Sequence, residues 1–131
     1  MSRSGYRDDY DYDGPNPWPA SVARSIKGKR GQNFLKELAA AMDAMPEKAL
    51  ITDELVTADG SCCTIGVVCK ARGLDVSNVE VEDSEAVGEV VGISKYMASE
   101  IEYFNDEVCE NQTPEERWVR MRAWVQCRIR E

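Results

Sequence analysis

The sequence contains no histidine in its 131 residues, and this removes the commonest catalytic base. A serine or cysteine nucleophile is most often activated by a neighbouring histidine, so the familiar nucleophilic triads are excluded. A phosphate-binding glycine loop is also missing, because Gly28-Lys29-Arg30-Gly31 lacks the spacing of a Walker motif. We therefore expect no catalytic residues and interpret the chain as a binding protein rather than an enzyme.

The sequence also lacks a long apolar run and a regular cysteine pattern. Without such a run we expect neither a signal peptide nor a membrane span. The five cysteines are an odd number, and Cys62 and Cys63 are adjacent, which is not typical of a secreted disulfide framework. A reducing, cytoplasmic setting is the expectation that follows.

Two patterns resemble metal sites, but neither is complete. Cys62, Cys63 and Cys69 lack the paired spacing of a zinc site, and on a helix the first and last would share a face, as core residues do. The run Asp9-x-Asp11-x-Asp13-Gly14 begins like a calcium loop, but Ala20 stands where the bidentate glutamate belongs. We expect no metal and no cofactor, and an enzyme or metalloprotein that uses the cysteines is the third alternative.

Length and composition indicate one globular domain. Apolar residues make up 43% of the chain and charged residues 31%, which is a folded rather than a disordered composition. Residues 1–18 are rich in tyrosine, aspartate and proline, so we predict an acidic N-terminal tail there. Residues 19–131 are predicted to form a single helical domain.

Helical periodicity and capping signals predict a mainly α fold, a compact bundle of about five or six short helices. The clearest start is Thr113-Pro114-Glu115-Glu116, which combines an N-cap, an early proline and a capping-box glutamate. The predicted helices run from near Pro19, from about Gln32 to Met45, around Cys62–Cys69 with Asp59 or Ser61 as N-cap, from Asp83 or Ser84 to Val91, from Ser94 to Asn105 and from Thr113 to Arg130. Residues 49–56 fit a strand as well as a helical turn, so a small β-hairpin near residues 49–64 stays an open alternative.

The charges are segregated along a chain whose net charge is −8. Residues 14–36 carry five bases and no acid, whereas residues 73–112 carry eleven acids and one base. Such a distribution is typical of a solvated surface, but it also steers charged partners together. The partner-binding candidates are therefore the acids Glu85, Glu89, Glu100, Glu102, Asp106 and Glu107 and the bases Arg24, Lys27, Lys29 and Arg30.

Residues 83–104 resemble a helix-turn-helix, with Gly92 at the turn. In that family the second helix enters the major groove of DNA. Here the second helix carries Glu100 and Glu102 beside one lysine, and phosphates would repel these acids. The pattern therefore disfavours direct nucleic-acid binding. The opposite hypothesis is a DNA mimic, whose carboxylates imitate a row of phosphates.

Eight short segments, spread over nearly the whole chain, form a further pattern. They are Met1-Ser2-Arg3-Ser4-Gly5-Tyr6, Gly28-Lys29-Arg30-Gly31-Gln32, Asp43-Ala44-Met45-Pro46-Glu47-Lys48, Ala71-Arg72-Gly73, Glu100-Ile101-Glu102, Asn105-Asp106-Glu107, Thr113-Pro114-Glu115-Glu116-Arg117-Trp118 and Met121-Arg122-Ala123-Trp124-Val125. In this order they resemble a group of small phage and prophage proteins without an assigned function. The resemblance implies a viral origin and a location in the cytoplasm of a bacterial host, and it carries over no active site.

The expected function is that of a phage-encoded protein that binds and inhibits a host component. The partner would be a host protein or nucleoprotein complex, and the inhibitor would be of a counter-defence (anti-CRISPR-like) or DNA-mimic kind. A phage structural or assembly protein is the first alternative, and a helix-turn-helix DNA-binding protein is the second.

Overall fold

The structure, a computed structural model, describes residues 18–108 and 111–130. Within these ranges the helices are α1 (Trp18–Lys27), α2 (Lys29–Asp43), α3 (Thr64–Ala71), α4 (Ser84–Val91), α5 (Lys95–Asp106) and α6 (Pro114–Arg128). The described part of the chain contains no β-strand, so the predicted mainly α fold is confirmed. The calcium-like run at 9–14 and almost all of the predicted tail lie outside the described residues.

Residues 49–63 form an irregular loop in place of the β-hairpin that the sequence left open. A single antiparallel bridge joins Val56 to Cys62 across the turn. The Thr57 N–H donates to the Ser61 carbonyl at 2.8 Å. Gly60 lies in this turn with a φ of +88°, a left-handed conformation that glycine adopts without strain. The predicted turn at Asp59-Gly60 is therefore confirmed.

Local capping signals set three of the helix starts. The Ser94 hydroxyl accepts from the Met97 N–H, and an Asp83 carboxylate oxygen caps α4. Thr113 and Glu116 form the predicted capping box at the start of α6. Each of these side chains satisfies an N–H group that the first turn of a helix leaves without an internal partner.

The junction between α1 and α2 is tighter than the sequence predicts. The second helix begins at Lys29, three residues before the predicted start, so the basic pair Lys29-Arg30 belongs to its first turn. Only Gly28 separates the two helices. They cross so closely that a Cβ on Gly31 would lie 2.0 Å from the Ser25 carbonyl oxygen. The junction therefore holds several basic side chains within a short stretch of backbone.

The first residue of α3 is capped by a residue from α5. The sequence suggests Asp59 or Ser61 as N-cap, and this is wrong because α3 begins only at Thr64. The Asn105 Oδ1 accepts from the Thr64 N–H at 3.1 Å and from the Thr64 hydroxyl at 2.7 Å. A tertiary contact thus replaces the local cap.

Helix α5 is the central element of the fold. It packs against α1, α3, α4 and α6, and its side chains Met97, Ala98 and Ile101 are fully buried. The fully buried core of the other elements includes Leu35, Leu38, Met42, Leu50, Ile65, Val68, Met121 and Val125. None of the described helices is long and apolar enough to cross a lipid bilayer.

Candidate interaction surfaces

The acidic segment, residues 75–89, carries charges of one sign only. Its carboxylates all lie on the surface and belong to Asp75, Glu80, Glu82, Asp83, Glu85 and Glu89. The segment contains no lysine or arginine. None of these carboxylates pairs with a cation elsewhere in the described residues. The segment therefore presents an uncompensated negative surface.

Helix α4 orients part of this acidic segment outward. Val87 and Val91 are buried towards the core, four residues apart on one face. Glu85 and Glu89 have the same spacing on another face and are exposed. Packing of the apolar face against α5 thus fixes both carboxylates towards solvent.

Two of the acids that the sequence places on the partner surface are buried. Only 8% of Glu100 and 2% of Glu102 is exposed, and the Glu102 carboxylate accepts from the Ser84 hydroxyl. Because α5 is surrounded by four other helices, Lys95 is the only exposed residue of this helix. These two carboxylates are therefore not available to a partner. The same burial argues against α5 as a DNA-recognition helix.

The remaining predicted acids, Asp106 and Glu107, are half-buried at the C-terminal end of α5. Half-burial leaves them less accessible than the carboxylates of the acidic segment. Of the six predicted acids, Glu85 and Glu89 are thus the ones that the structure leaves fully accessible.

Replacement of Glu100 by glutamine is expected to change how stability depends on pH. Burial raises the pKa of the Glu100 carboxyl, and Arg128 only partly offsets this effect. The folded state therefore holds this proton more tightly than the unfolded chain, so stability falls as pH rises above the usual value of 4.5. We expect Glu100→Gln to have a higher Tm than the native protein at pH 7.

The measurement is a set of thermal melts of both proteins between pH 3.5 and pH 8. The difference in Tm should shrink at acidic pH, where Glu100 is protonated and resembles glutamine. A difference that stays constant over this range would show that Glu100 does not titrate as its burial implies. Glu85→Gln, at an exposed position of α4, is the matched control.

The four predicted bases all lie on the surface, and the structure brings three of them together. Arg24, Lys29 and Arg30 line a cavity of about 210 Å³ between the α1–α2 junction and the start of α5. The Ser94 hydroxyl reaches this junction and donates to the Ser25 hydroxyl at 2.7 Å. Lys27 is exposed but does not line the cavity.

An apolar groove, which we call the α2–α3 groove, lies between the C-terminal end of α2 and helix α3. It has a volume of about 520 Å³ and opens to solvent beside the exposed residues Ala44 and Ala71. The loop at 46–62 and the first turn of α6 complete its walls. Pockets of this size hold small molecules or a few side chains of a partner. The sequence contains no signal for this groove, because residues scattered between 41 and 71 form it together with Pro114 and Glu115, which are distant along the chain.

The cysteines belong mainly to the core. Cys62, Cys63 and Cys69 are buried, whereas Cys127 is exposed. Burial raises the pKa of the Cys63 thiol to about 12 and that of Cys69 to about 11, so neither is a thiolate at neutral pH. Within residues 18–108 and 111–130 no three metal-ligating side chains converge on one point.

Comparison of this chain with known protein families, curated protein sequences and solved structures finds no match.

Proposed function

We propose that the protein is a phage-encoded binding protein that occupies and inhibits a component of a bacterial host in the host cytoplasm. The acidic segment 75–89 would be its main contact surface, and the target would be a basic groove of a protein or nucleoprotein complex. The observation that supports this proposal is the exposure of all six carboxylates of a segment that contains no base.

The physical basis is competition for a site that normally holds phosphates. A groove that binds nucleic acid is lined by lysine and arginine, which attract the phosphates. Exposed carboxylates held on a folded surface are attracted by the same lysine and arginine side chains. Such a surface also associates fast at low ionic strength. Occupation of the groove then excludes the nucleic acid, and inhibition follows without catalysis.

Reversal of two charges on α4 is the most direct test of this proposal. We expect Glu85→Lys/Glu89→Lys to weaken capture of the target from a bacterial lysate by about tenfold or more at low salt. The native protein should release its target when the salt is raised or when double-stranded DNA is added. The measurement is a titrated pull-down with the full-length chain, quantified by the amount of target retained.

Asn33→Lys/Ala123→Lys is the control, because it adds positive charge at two exposed positions outside the acidic segment and outside the α2–α3 groove. If the two double variants bind alike, or if Glu85→Lys/Glu89→Lys retains the target at low salt, the acidic segment is not the contact surface. If a partner is captured only during infection, and if the protein co-purifies with phage particles, a role in phage assembly would be favoured over inhibition.

A further inference from the structure

The floor of the α2–α3 groove consists of small and apolar side chains. Ala41 contributes from the last turn of α2, Ala44 from the position directly after that helix and Ala71 from the end of α3, and Ile51 and Val67 add further apolar surface. Alanine leaves space beside the backbone that a larger residue would fill. This part of the lining therefore carries little side-chain volume, and it offers apolar surface that a ligand would remove from water.

The rim of the groove and of the cavity that adjoins it is acidic. The adjoining cavity, of about 610 Å³, shares Ile51, Asp59, Ser61 and Pro114 with the groove. Carboxylates at both openings are exposed and belong to Glu47, Glu54, Asp59 and Glu115. An apolar floor is thus bordered by four negative charges.

The Asp59 carboxylate is held in its charged form at this rim. The Thr57 hydroxyl donates to it, and so does the Ser61 N–H at 3.1 Å. The first of these hydrogen bonds is the main reason why the pKa of Asp59 lies below its usual range. At neutral pH the carboxylate therefore contributes a full negative charge beside the groove.

Two cations line these cavities, and both are already hydrogen-bonded to the backbone. Lys70 donates to the Gly60 carbonyl oxygen at 2.9 Å. Arg117 is buried and donates to the Leu50 carbonyl at 3.0 Å and the Asn105 carbonyl at 3.2 Å. Their positive charges hold the loop in place and only partly offset the four carboxylates. A ligand that fits must therefore supply apolar surface and positive charge together.

We propose that the α2–α3 groove and the adjoining cavity bind a basic amphipathic helical segment of a partner protein. Its apolar side chains would fill the alanine-lined floor, and its lysine or arginine side chains would pair with Glu47 and Glu54 at the rim. A helix suits this site because it buries one face in a groove and leaves the other in solvent, and the exposed lining residues Ala44, Glu47 and Ala71 show that the groove opens to solvent. This surface is separate from the acidic segment 75–89, so the proposal does not depend on the proposed function.

The test uses two fluorescein-labelled model peptides and the full-length protein. One is an amphipathic helix of leucine and lysine, and the other carries glutamate in place of each lysine. Fluorescence polarisation should show saturable binding of the leucine–lysine peptide and none of the leucine–glutamate peptide. In Glu47→Gln/Glu54→Gln the affinity for the peptide should fall about tenfold, because each substitution removes one ionic contact at the rim.

Asn33→Lys/Ala123→Lys provides a matched control, because it changes the net charge by the same amount at two exposed positions outside the groove and outside the acidic segment. We expect its affinity for the peptide to stay within about twofold of the native value. If both double variants lose affinity equally, the peptide is attracted by net charge and the groove proposal is wrong. The proposed function is tested by host-target capture instead, so each proposal can be refuted while the other still stands.

Ala44→Trp fills the groove from an exposed position at the end of α2, where a larger side chain does not disturb the core. It should abolish peptide binding while circular dichroism and the Tm stay unchanged. Binding that survives this substitution would overturn the proposal. So would self-association of the native protein that Ala44→Trp removes, because the occupant would then be a second copy of the chain.

Discussion

The Gly66→Ala variant is expected to lose about 3 kcal/mol of unfolding free energy, which corresponds to a fall in Tm of about 10 °C for a domain of this size. This direction is opposite to the usual effect of the substitution. In a helix interior alanine is normally more stable than glycine by about 1 kcal/mol, because glycine loses more backbone entropy on folding. Gly66 lies within α3, so its environment must outweigh this preference.

The reason is a close approach of the loop backbone to α3. A Cβ on Gly66 would lie 1.8 Å from the Leu55 carbonyl oxygen and 2.9 Å from the Cys62 Cβ. Neither neighbour is free to move away. The Leu55 carbonyl accepts from the Cys63 N–H at 3.1 Å, and both Leu55 and Cys62 are buried. Relief of the clash would therefore displace the loop or α3 from the core.

Chemical and thermal denaturation of both proteins measure this loss. Gly73→Ala is the control, because Gly73 has a φ of +70° but no atom within 4 Å of an added Cβ. That variant should lose only about 1 kcal/mol, the strain of an alanine in a left-handed conformation. A Gly66→Ala protein as stable as the native chain would show that the loop yields at little cost.

The sequence predicts those parts of the fold that depend on local signals. Ser94, Asp83 and the Thr113–Glu116 box cap helices because an oxygen lies two or three residues from the N–H groups that need it. Gly92 ends α4 in a left-handed conformation with a φ of +83°, as a turn glycine does. Helix existence and most helix ends therefore follow from short-range chemistry.

The parts that the sequence does not predict depend on contacts between distant segments. No local sequence signal shows that position 66 must be glycine, because the requirement comes from the Leu55 carbonyl, which leaves no room for a Cβ. The sequence pattern predicts that Glu100 and Glu102 are surface charges. They are buried because four helices pack against α5. The α2–α3 groove is likewise assembled from separate segments, so its acidic rim is not visible as a motif.

Asn105 is the strongest example of such a distant contact, and its side chain joins three elements. Its Oδ1 accepts from both the N–H and the hydroxyl of Thr64 at the start of α3, 41 residues earlier in the chain. Its Nδ2 donates to the Ile51 carbonyl at 3.0 Å. Only 1% of Asn105 is exposed, so water cannot replace these partners if the side chain is removed.

The Asn105→Ala variant is expected to lose about 3 kcal/mol of unfolding free energy. The Thr64 N–H, the Thr64 hydroxyl and the Ile51 carbonyl would each lose a buried partner, and each unsatisfied group costs about 1 kcal/mol or more. Amide hydrogen exchange in the first turn of α3 should also become faster, because that turn has no side-chain cap of its own. Urea denaturation and hydrogen exchange measure the two effects.

A double-mutant cycle with Thr64→Val separates the Asn105–Thr64 contact from the rest of the loss. Thr64→Val removes the hydroxyl and keeps the shape of the side chain, so the Asn105 Oδ1 retains only the Thr64 N–H as donor from that residue. If the two residues act through one hydrogen-bonded unit, the double variant should be more stable than the sum of the single losses predicts, by about 1 kcal/mol. Strict additivity, or an Asn105→Ala protein with native exchange in α3, would mean that this cap does not hold α3 against the loop.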